Sequence, residues 1–346
     1  MTFPTSPNVD PLHTRPLGTT GMSITRVGFG AWAIGGADWV YGWGTQDDRD
    51  SVAAIHHACA SGINWIDTAA AYGFGHSEKV VATALRAMPP SERPYVFTKC
   101  GVVGDEQKGS QELRFVGRPE SIRRELEGSL SRLGVECVDL YQMHWPSTDG
   151  STIDEYWGTL LDLKREGKAR AVGLSNHNVE QLEAADRMGH VDSLQPPFSA
   201  ISRDIAAGGL PWCQGHDTGV IVYSPMQSGL LTGKFSAARA KGLPGNDWRT
   251  RSPYFTGDGL LRNLALADAL RPIAQRRGVE VGAVAVAWTL AWPGVTGAIV
   301  GARSPAQVDG WIAAARFDLT VDEMREIAAA IKSTGAGTGP VAPAGA

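Results

Sequence analysis

The chain has 346 residues and a formal net charge of −4. This length fits either two domains or one large α/β barrel, and the small acidic excess argues against nucleic acid or an anionic membrane as a partner. Its apolar runs are too short to span a bilayer, it has no secretory signal pattern, and its four cysteines lack the paired spacing of disulfide or zinc sites, so we expect a cytoplasmic protein.

Short apolar runs alternate with amphipathic stretches along most of the chain. Thr19-Thr20-Gly21 predicts a turn between two strand-like segments, and hence an N-terminal β-hairpin. After it, strands are predicted at residues 25–30, 63–67, 95–99, 139–144, 169–174, 193–195, 220–224 and 297–301. Nearly continuous apolar strands separated by helices are typical of a parallel sheet that is buried on both faces. The predicted fold class is therefore α/β, a (β/α)₈ TIM barrel.

The C-terminal third departs from simple alternation. Residues 229–259 form a long connection rich in Gly, Pro and Trp, which is more typical of a functional loop than of a passive one. Extra helices are predicted at residues 260–277, 281–292 and 321–331. We expect a flexible tail at residues 1–13, a single barrel domain at 14–332, and a flexible Gly-, Ala- and Pro-rich tail at 333–346.

Three chemically reactive side chains end predicted strands, and a fourth follows closely. Asp67, Lys99 and His144 are the strand-end residues, and Tyr72 lies on the loop after the first of them. Each alone fits an ordinary structural role. However, a lysine at the end of an apolar strand is costly to bury without a counter-ion, and Asp67 can supply one. Because the C-terminal strand ends of a barrel share one rim, the four residues are predicted to form a catalytic set.

This set suits proton transfer to a carbonyl oxygen. A free tyrosine has a pKa near about 10, and a neighbouring ammonium is expected to lower it. Asp67 would hold Lys99, while His144 would hydrogen-bond to the reacting oxygen and orient it. The hydride that must reach the carbonyl carbon has to come from a cofactor, since no side chain supplies one.

A glycine-rich stretch near the N-terminus imitates a dinucleotide-binding fingerprint. Residues 28–33, Gly-Phe-Gly-Ala-Trp-Ala, satisfy the G-x-G-x-x-[G/A] pattern after a strand-like segment. The fingerprint needs a helix that opens at once, but several further glycines follow and the first good helix starts near Asp48. We therefore reject this motif and interpret the stretch as the first rim loop of the barrel.

The chain resembles the aldo-keto reductase superfamily, in particular its bacterial general-stress and inositol-type members, from about residue 15 to residue 329. The motifs that carry the resemblance are Asn64-Trp65-Ile66-Asp67-Thr68-Ala69, Tyr72-Gly73, Ser77-Glu78, Thr98-Lys99-Cys100-Gly101, Asp139-Leu140-Tyr141-Gln142-Met143-His144-Trp145-Pro146, Gly173-Leu174-Ser175-Asn176, Tyr223-Ser224-Pro225, Gly229-Leu230-Leu231-Thr232-Gly233-Lys234 and Gly301-Ala302-Arg303-Ser304. The resemblance implies a TIM-barrel NAD(P)H-dependent carbonyl reductase with Tyr72 as the general acid.

The resemblance also implies where the cofactor, NADP(H), would lie. The carboxamide would be held by Ser175, Asn176 and Gln195, and Tyr223 would stack on the nicotinamide ring. The pyrophosphate would contact Ser224, Leu231, Gly233 and Lys234, and the adenosine end would contact Gly301, Arg303 and Gln307. The remaining implied cofactor-binding residues are Gly30, Trp32 and Asp67.

The segment after the last predicted strand also has chemistry of its own. Ser304, Pro305 and Gln307 match a capping box, and a helix N-terminus can bind an anion. Arg303 adds a planar cation suited to phosphate, so we expect NADP to be preferred over NAD. Many relatives have Asn four residues after this Gln, where it touches the adenine, whereas this chain has Trp311.

Aromatic residues on the rim loops predict an apolar substrate pocket. Its expected walls are Trp32, Trp39, Tyr41, Trp43, Phe74 and Trp145. The predicted partner is a small-molecule aldehyde or ketone, with no metal site. Two alternatives stay open: a Schiff-base aldolase that uses Lys99, disfavoured because a salt-bridged lysine is a poor nucleophile, and a non-catalytic cofactor-binding subunit, whose known members can retain the same four residues.

Overall fold

The computed structural model describes residues 11–37, 39–105, 110–245 and 247–343. Eight parallel strands close into a barrel, which confirms the predicted (β/α)₈ fold. An antiparallel hairpin precedes it, and a second hairpin interrupts it after the third barrel strand. The strands are β1 (Thr14–Pro16), β2 (Ser23–Thr25), β3 (Val27–Gly30), β4 (Trp65–Asp67), β5 (Tyr95–Cys100), β6 (Val102–Asp105), β7 (Ser110–Phe115), β8 (Val138–Met143), β9 (Ala169–Ser175), β10 (Ser193–Gln195), β11 (Gly219–Val222) and β12 (Gly297–Gly301).

Helices cover the outside of the barrel. They are α1 (Asp48–Ala60), α2 (His76–Arg86), α3 (Pro119–Leu133), α4 (Ile153–Arg165), α5 (Val179–Asp186), α6 (Gly209–Gly215), α7 (Ala237–Lys241), α8 (Gly257–Ala269), α9 (Arg271–Arg277), α10 (Val281–Leu290), α11 (Pro305–Asp309) and α12 (Val321–Thr334). Capping boxes start α4, α5 and α12. Within the described ranges, no helix has the length and apolarity needed to cross a membrane.

The barrel interior and the N-terminal hairpin form one apolar cluster. Leu17, Met22 and Ile24 of the hairpin pack with barrel residues that include Trp65 and Phe97. The hairpin therefore closes the end of the barrel where the strands begin. The opposite end, where the strands finish, is left to the loops that carry function in this fold.

Packing explains the glycine-rich stretch that imitates a dinucleotide fingerprint. A Cβ on Gly28 would lie 2.2 Å from the indole ring of Trp65, and a Cβ on Gly30 would lie 2.8 Å from Ile299. The Trp65 indole N–H also donates to the carbonyl oxygen of Thr25 at 2.8 Å. These glycines make room inside the barrel. Only a single 3₁₀ turn, Trp32–Ile34, follows them directly, and the first α-helix begins at Asp48, as expected.

The C-terminal segment differs from the flexible tail predicted from residue 333. The last helix continues to Thr334, and the chain then runs beside the segment that follows β10. Arg203, which is 3% exposed, donates to the carbonyl oxygens of Ala336, Gly339 and Pro340 at 3.1, 3.3 and 2.9 Å. Backbone carbonyls satisfy this buried guanidinium, so the side-chain composition of the tail did not reveal the contact. Residues 1–10 and 344–346 of the predicted tails lie outside the described residues.

Candidate active site

The four predicted catalytic side chains meet at the C-terminal rim of the barrel. The Lys99 Nζ donates to Asp67 Oδ1 at 2.6 Å, to the Thr68 carbonyl oxygen at 2.9 Å and to the Tyr72 hydroxyl at 3.3 Å. The rings of Tyr72 and His144 meet edge to face, with centroids 5.6 Å apart. Three acceptors around Nζ match the three donors of an ammonium, so Lys99 and Asp67 form a buried ion pair beneath the phenol.

The loop that carries Tyr72 is fixed by a close backbone approach. Gly73 has a φ of +60°, and a Cβ there would lie 1.9 Å from the carbonyl oxygen of Gly35. Ser77, at the start of α2, donates to the carbonyl oxygen of Ala31 at 2.8 Å and lies 2.9 Å from the Thr68 hydroxyl. Only glycine fits such a contact without strain, and the first two rim loops are therefore tied together around the phenol.

The strand that carries Lys99 is supported by a second buried carboxylate. Glu78, fully buried, accepts from the Thr98 hydroxyl at 2.7 Å and from Arg132 Nε at 2.6 Å. Burial lowers the pKa of Lys99, and the negative charges of Asp67 and, to a smaller extent, Glu78 oppose that shift. The Ser77-Glu78 motif therefore holds the loop of Tyr72 and the strand of Lys99 in place. The sequence alone did not reveal this role.

Burial sets the protonation of the two groups that face the cavity. Burial, with the charge of Asp67, raises the pKa of Tyr72 well above its usual range. Burial and the neighbouring Lys99 ammonium hold the pKa of His144 well below its usual range. The expected lowering of the Tyr72 pKa by Lys99 is therefore not found. Both groups are neutral near pH 7, and the phenol keeps the proton that a general acid must donate.

Ser175, Asn176, Gln195 and Tyr223 come together beside this set, as the resemblance implied. Asn176 adopts a φ of +63°, its Nδ2 donates to the His144 carbonyl oxygen at 2.9 Å, and its Oδ1 accepts from the Tyr223 hydroxyl at 2.7 Å. The Ser175 hydroxyl donates to the Gln195 carbonyl oxygen at 2.8 Å. A left-handed conformation at Asn is held here by bonds from both ends of its amide.

His177, which the sequence analysis missed, supports this turn from behind. Its Nδ1 lies 2.8 Å from the Ser175 carbonyl oxygen, and its Nε2 lies 3.0 Å from the Tyr156 hydroxyl. Because a carbonyl oxygen only accepts, Nδ1 carries the proton and Tyr156 donates to Nε2. Burial lowers the pKa of His177 to about 4, so the ring is neutral and its tautomer is fixed.

A cavity of about 730 Å³ spans the rim above these residues. Most of the predicted site residues line it. They are Gly30, Trp32, Trp39, Tyr41, Trp43, Asp67, Tyr72, His144, Trp145, Ser175, Asn176, Gln195, Tyr223, Ser224, Lys234, Gly301, Arg303 and Gln307. Lys99 and Leu231 are instead buried and do not line it, and Gly233 packs against Val281.

The hairpin β6–β7 forms a wall of the cavity that the sequence analysis did not foresee. Val102, Leu113 and Phe115 line the cavity, and the ring of Phe115 lies 6.0 Å from that of Trp145. Phe74, predicted to be a wall, packs against Gly104 of this hairpin and is 43% exposed. The alternation of Leu113 and Phe115 with polar residues was the available signal for this strand.

Aromatic and cationic side chains connect three rim loops at the far end of the cavity. Trp32 and Trp43 both contact Trp248, with ring centroids 5.8 and 6.1 Å apart. Arg303 donates to Gln46 Oε1 at 2.6 Å, to the Trp43 carbonyl oxygen at 3.0 Å and to the Thr45 carbonyl oxygen. Arg303 is thus anchored to the first rim loop by neutral oxygens.

The predicted capping box after β12 is wrong. Ser304 is the N-cap of α11, but its side chain caps nothing. Gln307 Oε1 accepts from the backbone N–H of Arg303 at 2.9 Å, one residue before the N-cap position that a capping box requires. The helix has five residues, and we therefore assign no anion site to its N-terminus. Trp311 is buried and lines the cavity beside it.

Comparisons with known proteins cover nearly the whole chain. The sequence model of the Aldo/keto reductase family matches residues 26–332. An NADH-specific methylglyoxal reductase from Escherichia coli is 35% identical over 330 residues, which cover 92% of this chain and 98% of that protein. Aldo-keto reductase YhdN from Bacillus subtilis is 32% identical over 91% of this chain and 92% of its own length. A solved glycerol dehydrogenase from Gluconobacter oxydans superposes with a TM-score of 0.83 at 37% identity, covering 96% of this chain and 98% of that one.

Proposed function

The chain belongs to the aldo/keto reductase family of oxidoreductases, and from this premise we propose that it reduces an aldehyde or ketone to an alcohol, reversibly, with NADP(H) and with Tyr72 as the proton donor. One observation carries the proposal: the buried Lys99–Asp67 ion pair lies directly beneath a phenol that opens into a large cavity. A bound nicotinamide would supply the hydride.

Each of the four rim residues has its own role in proton transfer. Tyr72 donates its proton to the carbonyl oxygen of the substrate, and the neutral His144 beside it orients that oxygen. The phenolate that remains lies 3.3 Å from the Lys99 Nζ, whose positive charge stabilises it. Asp67 keeps the ammonium in place at 2.6 Å. The apolar aromatic walls exclude water, and this strengthens each of these electrostatic interactions.

A net positive charge at the far end of the cavity supports NADP(H) as the cofactor. Lys234 pairs with Glu280 at 3.3 Å, whereas Arg303 donates to neutral oxygens and keeps its full charge toward the cavity. One N–H on each terminal nitrogen of Arg303 is still free of these bonds, so the guanidinium has two donors left for a 2′-phosphate.

Arg303→Ala is expected to weaken NADPH binding about ten- to a hundredfold, the value of a charge-assisted hydrogen bond. NADH, which lacks the 2′-phosphate, should lose much less. Quenching of tryptophan fluorescence by both cofactors measures this. Gln46→Leu is the matched control, because it removes a loop contact of Arg303 but not the cation. Equal losses of both cofactors in Arg303→Ala would mean that the residue only anchors the loop, and a wild type that prefers NADH would remove the basis of the NADP assignment.

A screen of NADPH consumption over aldehydes, ketones, quinones and sugars tests the reaction itself. We expect turnover of aldehydes or ketones whose substituents are apolar, because such groups can pack against aromatic walls such as Trp39 and Trp145. Cofactor binding without turnover of any compound would favour the non-catalytic alternative. The aldolase alternative is disfavoured, because the three donors of Lys99 are engaged and its ammonium pairs with Asp67.

The cysteines bear on the cell compartment in which this reaction would take place. All four cysteines are free, which agrees with a reducing compartment. We therefore assign the enzyme to the cytoplasm, with a small-molecule carbonyl compound as its partner.

A further inference from the structure

The hairpin β6–β7 lies between the rim loops that carry Tyr72 and His144. It follows β5 directly, and in the closed barrel β5 has β4 on one side and β8 on the other. Tyr72 follows β4 along the chain, whereas His144 comes immediately after β8. The hairpin also bonds to the second of these loops, because the backbone N–H of Thr148 donates to the carbonyl oxygen of Phe115 at 2.9 Å. The strand that carries Lys99 thus continues into an insertion between the proton donor and the histidine beside it.

Strand pairing gives the hairpin one face that is turned toward the cavity. Val102 pairs with Phe115, and Gly104 pairs with Leu113. Directly paired residues share a face of a sheet, as do alternate residues of one strand, so these four positions form a single face. Val102, Leu113 and Phe115 line the cavity. Arg114, by contrast, belongs to the opposite face of the hairpin and is exposed.

The ring of Phe74 fills the fourth position of this face. A Cβ on Gly104 would lie 2.3 Å from that ring. The φ of Gly104 lies outside the left-handed region, so its backbone does not itself require glycine, and it is the ring that leaves no room for a side chain. Phe74 has a φ of +52°, which bulky residues rarely adopt, and it lies two residues after Tyr72. The loop of the proton donor is therefore fitted against the hairpin at this point.

The two sides of the cavity differ in charge. Apart from Asp67, the described residues with charged side chains that line the cavity all follow β11 along the chain. They are Lys234, Arg239, Arg249, Glu280 and Arg303. In the ring of eight strands, β11 lies opposite β5. The lining residues of the hairpin are apolar, and the ring of Trp145 lies 6.0 Å from that of Phe115. One side of the cavity thus suits a phosphorylated cofactor, and the other suits an apolar group.

We propose that this face of the hairpin is the wall that selects the substrate, and that it takes an extended apolar substituent of the carbonyl compound, such as an unbranched alkyl chain, against Phe115 and Trp145. Phe74 is a positioning residue, which fixes this wall relative to Tyr72 through its fit against Gly104. The inference rests on the proposed function. It adds the part of the cavity that binds the substituent, the kind of substituent, and the contact that holds the wall in place.

The physical basis is the burial of apolar surface at a fixed distance from the phenol. Trp145 is 41% exposed, and Leu113 and Phe115 are partly exposed, so an alkyl chain that lies against them removes apolar surface from water. Binding energy gained away from the reacting atoms can hold the carbonyl group in the orientation that the reaction needs. Because that orientation is measured from Tyr72, the wall must keep its place relative to the loop of Tyr72, and the fit of Phe74 provides this.

A series of straight-chain aldehydes from propanal to octanal measures the contribution of the wall. With saturating NADPH, we expect kcat/KM of the wild type to rise about fourfold for each methylene group that reaches the wall, the value of burying one methylene. Equal kcat/KM for all chain lengths would overturn the wall and leave the proposed function standing. Failure to reduce any carbonyl compound would instead overturn the proposed function.

Phe115→Ala removes one side of the wall and is expected to lower the octanal-to-propanal ratio of kcat/KM about tenfold, a little less than the value of burying two methylene groups. Arg114→Ala is the matched control, because Arg114 is the preceding residue on the same strand but belongs to the opposite face. That control should keep the ratio of the wild type. An unchanged ratio in Phe115→Ala would show that the alkyl chain lies elsewhere in the cavity.

The fit of Phe74 against Gly104 is tested by a double-mutant cycle on the same ratio. Gly104→Ala adds a methyl group that must displace the ring or the wall, and it should lower the ratio about five- to tenfold, near the low end of the usual cost of overpacking. In a Phe74→Gly background the methyl group has room and the positive φ costs nothing, so Gly104→Ala should have little further effect.

The ratio separates positioning from a general loss of structure, since both aldehydes are reduced by the same folded enzyme and a smaller folded fraction lowers both rates equally. Gly215→Ala is the control, because it adds the same methyl group where no neighbouring segment lies within 4 Å. It should keep the ratio of the wild type. Equal effects of Gly104→Ala in the presence and in the absence of the Phe74 ring would show that Phe74 does not position the wall.

Discussion

Replacing Tyr72 with phenylalanine is expected to lower kcat for carbonyl reduction by about 10²–10⁴, the usual contribution of a general acid. The variant loses only a hydroxyl. Its ring can still pack against Trp39 and His144, whose centroids lie 5.9 and 5.6 Å away, and Lys99 keeps its bonds to Asp67 and Thr68. Fold and cofactor affinity should therefore be nearly unchanged.

Steady-state rates, cofactor titration and thermal unfolding measure these three properties separately. Tyr95→Phe is the matched control, because Tyr95 begins the strand that carries Lys99 and therefore lies at the opposite end of the barrel. That control should retain the rate of the wild type. If Tyr72→Phe turned over carbonyl substrates at the wild-type rate, another group would have to be the proton donor.

The rate of carbonyl reduction by the wild type should fall at high pH and not at low pH. Reduction needs a protonated phenol, and burial raises the pKa of Tyr72 well above its usual range. The rate of reduction should therefore be maintained through neutral pH and fall only as the pH rises through that raised pKa. His144, whose pKa is held well below its usual range, should add no change of rate around pH 6 to 7. Profiles of kcat against pH at saturating cofactor test both statements.

The sequence was sufficient to predict the barrel and the meeting of Asp67, Tyr72, Lys99 and His144 at its rim, because both depend on local patterns. Continuous apolar runs fixed the strands so well that Ser193–Gln195 and Gly297–Gly301 have the predicted bounds. A buried lysine at the end of such a run needs a counter-ion, and the topology of a barrel brings Asp67 beside Lys99.

What could not be predicted depends on contacts between distant backbone segments. Arg203 donates to carbonyl oxygens of the C-terminal segment. Every residue has a backbone carbonyl, so the amino-acid composition does not indicate which of them accept such bonds. Gln307 has the right spacing for a capping box, yet its side chain accepts from the N–H of Arg303. The raised pKa of Tyr72 arises from burial and from the charge of Asp67, and the extent of that burial is known only from the structure.

Lys99→Met is expected to abolish carbonyl reduction and to destabilise the protein. The phenolate formed by proton transfer would lose its stabilising charge, so the loss of rate should be at least as large as in Tyr72→Phe. Removing one partner of a buried ion pair costs about 3–5 kcal/mol, because the other charge is left uncompensated. NADPH consumption and denaturant unfolding measure the two effects.

The destabilisation should depend on pH in a specific direction. Without Lys99, burial leaves Asp67 with a pKa raised above its unfolded value. Its contribution to stability is then fully present below the unfolded pKa and is lost as the pH rises through the folded pKa. Lys99→Met should therefore unfold more easily at neutral pH than in mild acid, relative to the wild type.

The double variant Lys99→Met/Asp67→Asn separates stability from catalysis. With both charges removed, most of the lost stability should return, whereas activity should not, since the phenol still lacks its cation. Borohydride treatment of the wild type with a carbonyl substrate, followed by mass spectrometry, should give no adduct at Lys99, because the ammonium is engaged by Asp67 and Thr68. An adduct there, or wild-type activity in Lys99→Met, would assign the lysine a nucleophilic or merely structural role in place of the electrostatic one.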